Sequence, residues 1–331
     1  MKNKVSKSFF AFSALAVISA LLIVFTGCHK ADSKKITFVL DWTPNTNHTG
    51  LYVAQEKGYF AEEGLDVEIV QPSEDGATMM VASGRAQFGV GFQDSIAPSL
   101  LNDEKLPVTA VAALLQHNTS GIISLKKEGI DRPKKLEGKK YATWDSPIEL
   151  ATIQKLVEQD GGDFSKIQLI PSTVYDVVTA LNTEIDCVWI YYAWDGIKLE
   201  LEGMDTNYLD FRKLDTTFDY YTPMFISNTD FLKTESETAK KFLKALRRGY
   251  EFAIENPDQA AEILCKAAPE LDRDLVFASQ KWISQEYKAE VEPWGYINPE
   301  RWNRFFRWLN ETRLLEGSLP EDYGFTNDYL N

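Results

Sequence analysis

The chain has 331 residues, with 49 acidic against 35 basic side chains and a net charge of −14. That balance excludes a nucleic-acid binder, whose phosphate contacts demand lysine and arginine. The length accommodates two domains with substantial cores. The three histidines, with no HExxH, CxxC or paired-histidine spacing in the chain, give no zinc signature.

In chain order, residues 1–27 read as an export leader. Lys2, Lys4 and Lys7 precede an apolar run over 9–25, and Phe25-Thr26-Gly27-Cys28 follows. A small residue before cysteine marks cleavage, and the run resembles a bacterial lipobox in which Cys28 becomes the lipidated N-terminus. An uncleaved membrane anchor is the competing reading, although the run is near the lower length limit for a span. Either way the folded part lies outside the cytoplasm, after a polar tether over 28–35. Losing the three leader lysines takes the net charge from −14 to −17. Cys187 and Cys265 read as buried free thiols rather than a disulfide.

The stretch 36–70 is one βαβ unit. An apolar, β-branched run over 36–40 predicts a buried strand, and a polar loop 41–48 follows it. Thr49 is expected to cap a helix that stops at Gly58, and 65–70 alternates as a second strand. A helix over 74–83, a strand over 86–90, a helix from Ser95 and strands over 108–115 and 121–126 continue the rhythm. The charged stretch 126–140 reads as a boundary, beyond which the pattern restarts: strand 141–143, helix 148–159, strand 167–170, helix 174–182 capped by Ser172, strand 187–190. After a short strand over 221–227 the chain is helical. Ala239, Phe242, Leu243, Leu246, Tyr250 and Ala253 share one face, and Trp302, Phe305, Phe306 and Leu309 mark a last core helix. These C-terminal helices are expected to pack on the first lobe.

Catalytic signatures are sparse. GxSxG and the phosphate loop GxxxxGK[ST] are absent, and Gly89-Val90-Gly91 is only a fragment of a dinucleotide fingerprint. The strand-end loops are rich instead. Trp42, Asn45, Asn47 and His48 occupy the first, Gln93, Asp94 and Ser95 another, and Gln116-His117-Asn118 a third. Trp144-Asp145-Ser146, Tyr175, Tyr191, Tyr192, Trp194 and Asp195 recur in the second half. In open α/β sheets ligands sit at such ends. Asp94 has a second reading as a helix cap, Trp194 as core and His117 as a surface residue. Together the set suits a planar heteroaromatic. Stacking contributes about 0.5–1.5 kcal/mol beyond area, and burying roughly 150–200 Å² of ring on the order of 4–5 kcal/mol. An exocyclic amine would pair with Asp94 or Asp195.

The run from Leu40 to Ala54, with Lys57-Gly58-Tyr59-Phe60, strongly resembles the pyrimidine-precursor family, which groups bacterial substrate-binding lipoproteins with fungal thiamin-pyrimidine synthases. Ala82-Ser83-Gly84, Gly138-Lys139-Lys140, Ile185-Asp186 and Trp194-Asp195-Gly196 add weaker matches over about 36–231. The resemblance implies an α/β, two-lobed periplasmic-binding-protein fold of the two-hinge class, with the ligand cleft between lobes. Lobe one would be 36–125 plus 225–331, and lobe two 126–224. It implies capture of a thiamin-related pyrimidine, formylaminopyrimidine, by lobe closure. Delivery would be to an ABC permease with its ATPase subunit, from a lipid-anchored position on the outer face of the cell membrane. Riboflavin is the alternative cargo. By position, Trp42 would stack on the ring, Asn47 and His48 would line the same wall, and Tyr191 and Asp195 would close from the other lobe. Relatives carry glutamate where Asp195 stands, so a bridging water would complete its reach. The synthases use a lysine-bound pyridoxal phosphate, a histidine and a cysteine-rich iron segment. This chain has Arg85, Ser95 and the run Tyr220 to Phe225 at those positions, which implies a binder without cofactor, metal or catalysis.

Overall fold

A computed structural model describes residues 33–101 and 105–330. The leader and Cys28 lie outside the described residues. Ten strands follow in order: β1 (Lys34–Val39), β2 (Leu65–Val70), β3 (Phe88–Gly91), β4 (Val108–Ala113), β5 (Ser120–Leu125), β6 (Lys140–Thr143), β7 (Gln168–Pro171), β8 (Cys187–Tyr191), β9 (Thr206–Asp210) and β10 (Met224–Asn228). They form two five-stranded sheets, β2-β1-β3-β10-β4 and β7-β6-β8-β5-β9.

Both sheets share one plan. In the first, β1 runs parallel to β2 and β3, and β10 lies antiparallel between β3 and β4. In the second, β6 runs parallel to β7 and β8, and β5 lies antiparallel between β8 and β9. The antiparallel strand is in each case the one the chain makes on arriving from the other sheet. β3, β5 and most of β8 are buried along their length, as strands covered on both faces must be. The chain crosses between sheets twice, over 114–119 and 211–223. The crossings are bonded together: His117 Nδ1 lies 2.8 Å from Asp219 Oδ2, and the Asn118 amide donates to Phe218 O at 2.8 Å.

Two boundaries differ from expectation. The first lobe was expected to end at residue 125, but β5 pairs within the second sheet, so the crossing precedes it. The apolar run over 121–126 fits either sheet, and only its pairing decides. The tether was expected to reach residue 35, yet Lys34 and Lys35 already pair with Leu65 and Asp66.

The helix Ser236–Glu255 buries the predicted face, Ala239 to Ala253, against the helix Thr49–Glu56. Gly50 and Gly249 permit this approach: a Cβ on Gly249 would lie 2.0 Å from the Gly50 carbonyl oxygen. Trp302, Phe305, Phe306 and Leu309 are core residues, as their spacing predicted. The helix Arg273–Ile283 departs from the expectation that all the C-terminal helices pack on the first lobe. It touches both the turn Thr46–His48 and the turn Tyr192–Gly196, and so sits on the seam.

Candidate functional site

A cavity of about 340 Å³ lies between the two sheets, within the usual range for small-ligand sites. The first sheet contributes Asp41, Trp42, Asn45, Asn47 and Phe92. The second contributes Val174, Tyr175, Tyr191, Trp194, Asp195 and Lys198.

The loop after β1 is built around Asn45. Its side chain accepts from Asn47 N at 2.9 Å and its own amide donates to His48 Nδ1 at 3.2 Å, a capping box on the short turn Thr46–His48. Thr49, expected as a cap, is instead the first residue of the helix Thr49–Glu56, which follows the Asn45-capped turn and has no side-chain cap of its own. His48 is turned inward by this use, with Nε2 2.7 Å from Asp41 Oδ1. It supports the wall from behind and does not line the cavity, contrary to the expected role. Tyr250 OH donates to Asn47 O, Tyr287 OH to Thr46 O, and Thr46 Oγ1 meets Ser279 Oγ at 2.6 Å. Trp42 is left half exposed at the mouth, and Asn47 Oδ1 is buried with no protein partner.

Asp94 also stands outside the lining. After burial itself, its charge is the next influence raising the pKa values of Tyr191 and Tyr220. Burial pushes its own carboxyl up to about 6, against the pull of two backbone amides. Its Oδ1 has no hydrogen-bond partner.

In the second sheet, β8 passes into a single π-helical turn, Tyr192–Gly196, before the helix Ile197–Leu201. Such turns re-aim side chains. Here Asp195 enters the cavity while Trp194 packs beside Ala261, Leu264 and Val276 as well as lining it. Trp194 thus packs into the core on one side and lines the cavity on the other. Burial raises the Asp195 carboxyl to about 6, with Lys198 opposing and Asp176 adding to the rise. Tyr191 OH lies 3.1 Å from Thr222 Oγ1, and its ring stacks near Phe92 at 6.1 Å.

Tyr175 occupies the rim because the helix starts later than predicted. Asp176, not Ser172, caps it, accepting from Thr179 N at 2.7 Å, so the helix is Val177–Thr183. Asp176 also pairs with Lys198, which lowers the Asp176 pKa to about 2. His117 belongs to the crossings, bonded to Asp219 and Glu290. Asp41, Phe92 and Lys198 were not singled out from sequence as site residues; Asp41 and Phe92 stand in strand-end loops where the general rule would have found them, and Lys198 carried no signal.

The cavity thus offers flat aromatic faces and carboxylates, with one ammonium already committed to Asp176. It can stack a ring and accept N–H groups. The chain is 28% identical to a formylaminopyrimidine-binding protein of Halalkalibacterium halodurans, covering 97% of this chain and 99% of that one. It is 28% identical to a 4-amino-5-hydroxymethyl-2-methylpyrimidine phosphate synthase of Saccharomyces cerevisiae, covering 90% and 88%. Its fold matches that of the periplasmic nitrate-binding protein NrtA from Synechocystis PCC 6803 with a TM-score of 0.69 at 16% identity, over 90% and 87% of the two chains. The two-lobed periplasmic-binding-protein architecture expected from sequence is the one observed. The family described as NMT1/THI5 like matches residues 45–260, more than half of the chain, and the protein belongs to that family.

Proposed function

We propose that this protein is the extracytoplasmic binding subunit of an ABC importer, tethered through a lipid on Cys28, and that it captures a thiamin-related pyrimidine such as formylaminopyrimidine without transforming it. The observation that carries the reading is the cavity's polarity. Asp41 and Asp195 share the cavity with aromatic walls, and Lys198 is neutralised by Asp176. An amine-bearing heterocycle supplies donors to these carboxylates, of which Asp195 has no hydrogen-bond partner among the described residues. A nitrate or sulfonate would meet like charge instead. Trp42, Asn47, Tyr191, Trp194 and Asp195 would contact the ring; His48 would hold Asp41, and Asp94 would act from beneath Tyr191.

The synthase reading finds no support in the residues at its catalytic positions. Arg85 donates to Ser83 Oγ at 3.1 Å and to Asp75 at 3.0 Å, outside the cavity lining. Ser95 Oγ donates to Phe92 O at 3.0 Å. Tyr220 stacks on Phe305 at 4.0 Å in the core. None is placed to carry a Schiff base or iron.

Titration calorimetry with formylaminopyrimidine, aminopyrimidine, thiamin and riboflavin tests the proposal. The expected result is saturable one-to-one binding of a pyrimidine. Tight binding of riboflavin alone would overturn the cargo, and conversion of any ligand with pyridoxal phosphate and iron would restore the enzyme.

A further inference from the structure

Two of the most exposed aromatic side chains among the described residues face each other across the cleft. Trp42 is 51% exposed and Tyr175 79%. One follows β1 of the first sheet and the other follows β7 of the second, and both line the cavity. Their rings stack, with centroids 5.9 Å apart and planes 21° from parallel. Tyr175 belongs to neither lobe's buried core. Among the described residues its hydroxyl makes no hydrogen bond, and Trp42 is its one aromatic neighbour. The backbone beneath it is held firmly by the Asp176 cap and the Asp176–Lys198 pair. An anchored loop thus carries a largely exposed ring whose one aromatic contact is across the cleft.

Apolar rings left this exposed on opposite walls of one cavity mark a contact surface. The spacing says what fits. Holding a third flat ring between two others needs about 7 Å, twice a contact of ~3.5 Å. Stacked on each other as they are, the two rings leave no room for a third, so Tyr175 must swing away from Trp42 to admit one.

Resting on the cleft assignment above, we propose that Tyr175 is the second face of an aromatic sandwich: the cargo's planar ring is held between the Trp42 indole and the Tyr175 phenol, replacing the stack that the two make with each other. Trp42 fixes the ring from the rigid wall. Tyr175 closes on it from the other lobe, slows its release and favours planar over saturated cargo.

The test measures affinity and release rate for the full chain and for Tyr175→Phe, Tyr175→Leu and Tyr175→Ala. Formylaminopyrimidine and riboflavin serve as planar probes and an aliphatic sulfonate as the non-planar one, with tryptophan fluorescence as the readout. Thermal melting should be the same for all four, since the ring is outside the core. Tyr175→Phe should stay within about twofold of wild type. Tyr175→Ala should lose roughly tenfold, mostly as faster release, and Tyr175→Leu should recover only part of it. Binding of formylaminopyrimidine that is unchanged in Tyr175→Ala, or a Leu variant equal to Phe, would overturn the sandwich and leave the cargo assignment standing. Riboflavin binding with the same dependence on Tyr175, and no pyrimidine binding, would do the reverse. Preference for the sulfonate over both planar probes would overturn both.

Discussion

On the first-sheet side of the cleft, the loop after β1 arrives with its polar groups largely engaged. Asn45 caps its own turn, His48 holds Asp41, and Tyr250 and Tyr287 bind its carbonyls from beneath. On the second-sheet side, Tyr175 stands in solvent on a loop, and Asp195 rides a single π-helical turn with no hydrogen bond among the described residues. One wall is held from beneath by hydrogen bonds, while on the other the Tyr175 hydroxyl and the Asp195 carboxylate have no hydrogen-bond partner among the described residues. In the binding mode proposed above, this asymmetry lets cargo dock on a surface that needs no reordering and leaves the cost of immobilising side chains to the second wall.

The largest expected effect comes from attacking what makes the first wall rigid. Gly249→Ala places a methyl group 2.0 Å from the Gly50 carbonyl oxygen. Separating those helices should cost about 3 kcal/mol or more in chemical denaturation. It should also displace Tyr250 from Asn47 and weaken binding. Unchanged stability would show that the first wall is not held through this contact. Next, Trp42→Ala should weaken pyrimidine binding by about 2 kcal/mol with melting unaltered, because the ring is a half-exposed anchor. Equal affinity by calorimetry would remove Trp42 from the site.

Asp94 offers a pH test. Its folded pKa, near 6, lies above the unfolded value near 4. The fold therefore disfavours the ionised form, and stability falls as pH rises from about 4 to about 6 and is level above that. Asp94→Asn should gain nothing at pH 4 and about 1–2 kcal/mol at pH 7, after allowing for the residue's partial exposure. A gain of the same size at both pH values would contradict burial of the charge. The smallest effect belongs to His48→Ala. Removing the ring that orients Asp41 should cost about 1 kcal/mol of binding. An effect as large as that of Trp42→Ala would mean that His48 touches cargo after all.

Much of this was legible from residue pattern. The rhythm of strands and helices located both sheets, since apolar runs of 4–6 residues bounded by glycine and proline leave few alternatives. The loops at the strand ends brought Trp42, Asn47, Tyr191, Trp194 and Asp195 to one cavity. What pattern could not supply was pairing and facing. β5 is equally apolar for either sheet, and its neighbour is fixed by contacts distant in sequence. His48 and Asn47 are adjacent polar residues in one loop, and only the Asn45 cap decides which turns inward. Tyr175 fell inside a stretch read as helix because Ser172 and Asp176 are both acceptable caps. The second cap wins, with Lys198 beside it, and sets the ring at the rim.

A crystal structure of the full chain grown with formylaminopyrimidine tests the central claim most directly. The account predicts the pyrimidine ring between the Trp42 and Tyr175 planes, with its amino group within hydrogen-bond reach of Asp195, directly or through one water, and no covalent change. A ligand bound elsewhere, or a cleft closed on its own side chains while cargo is present at saturating concentration, would contradict it.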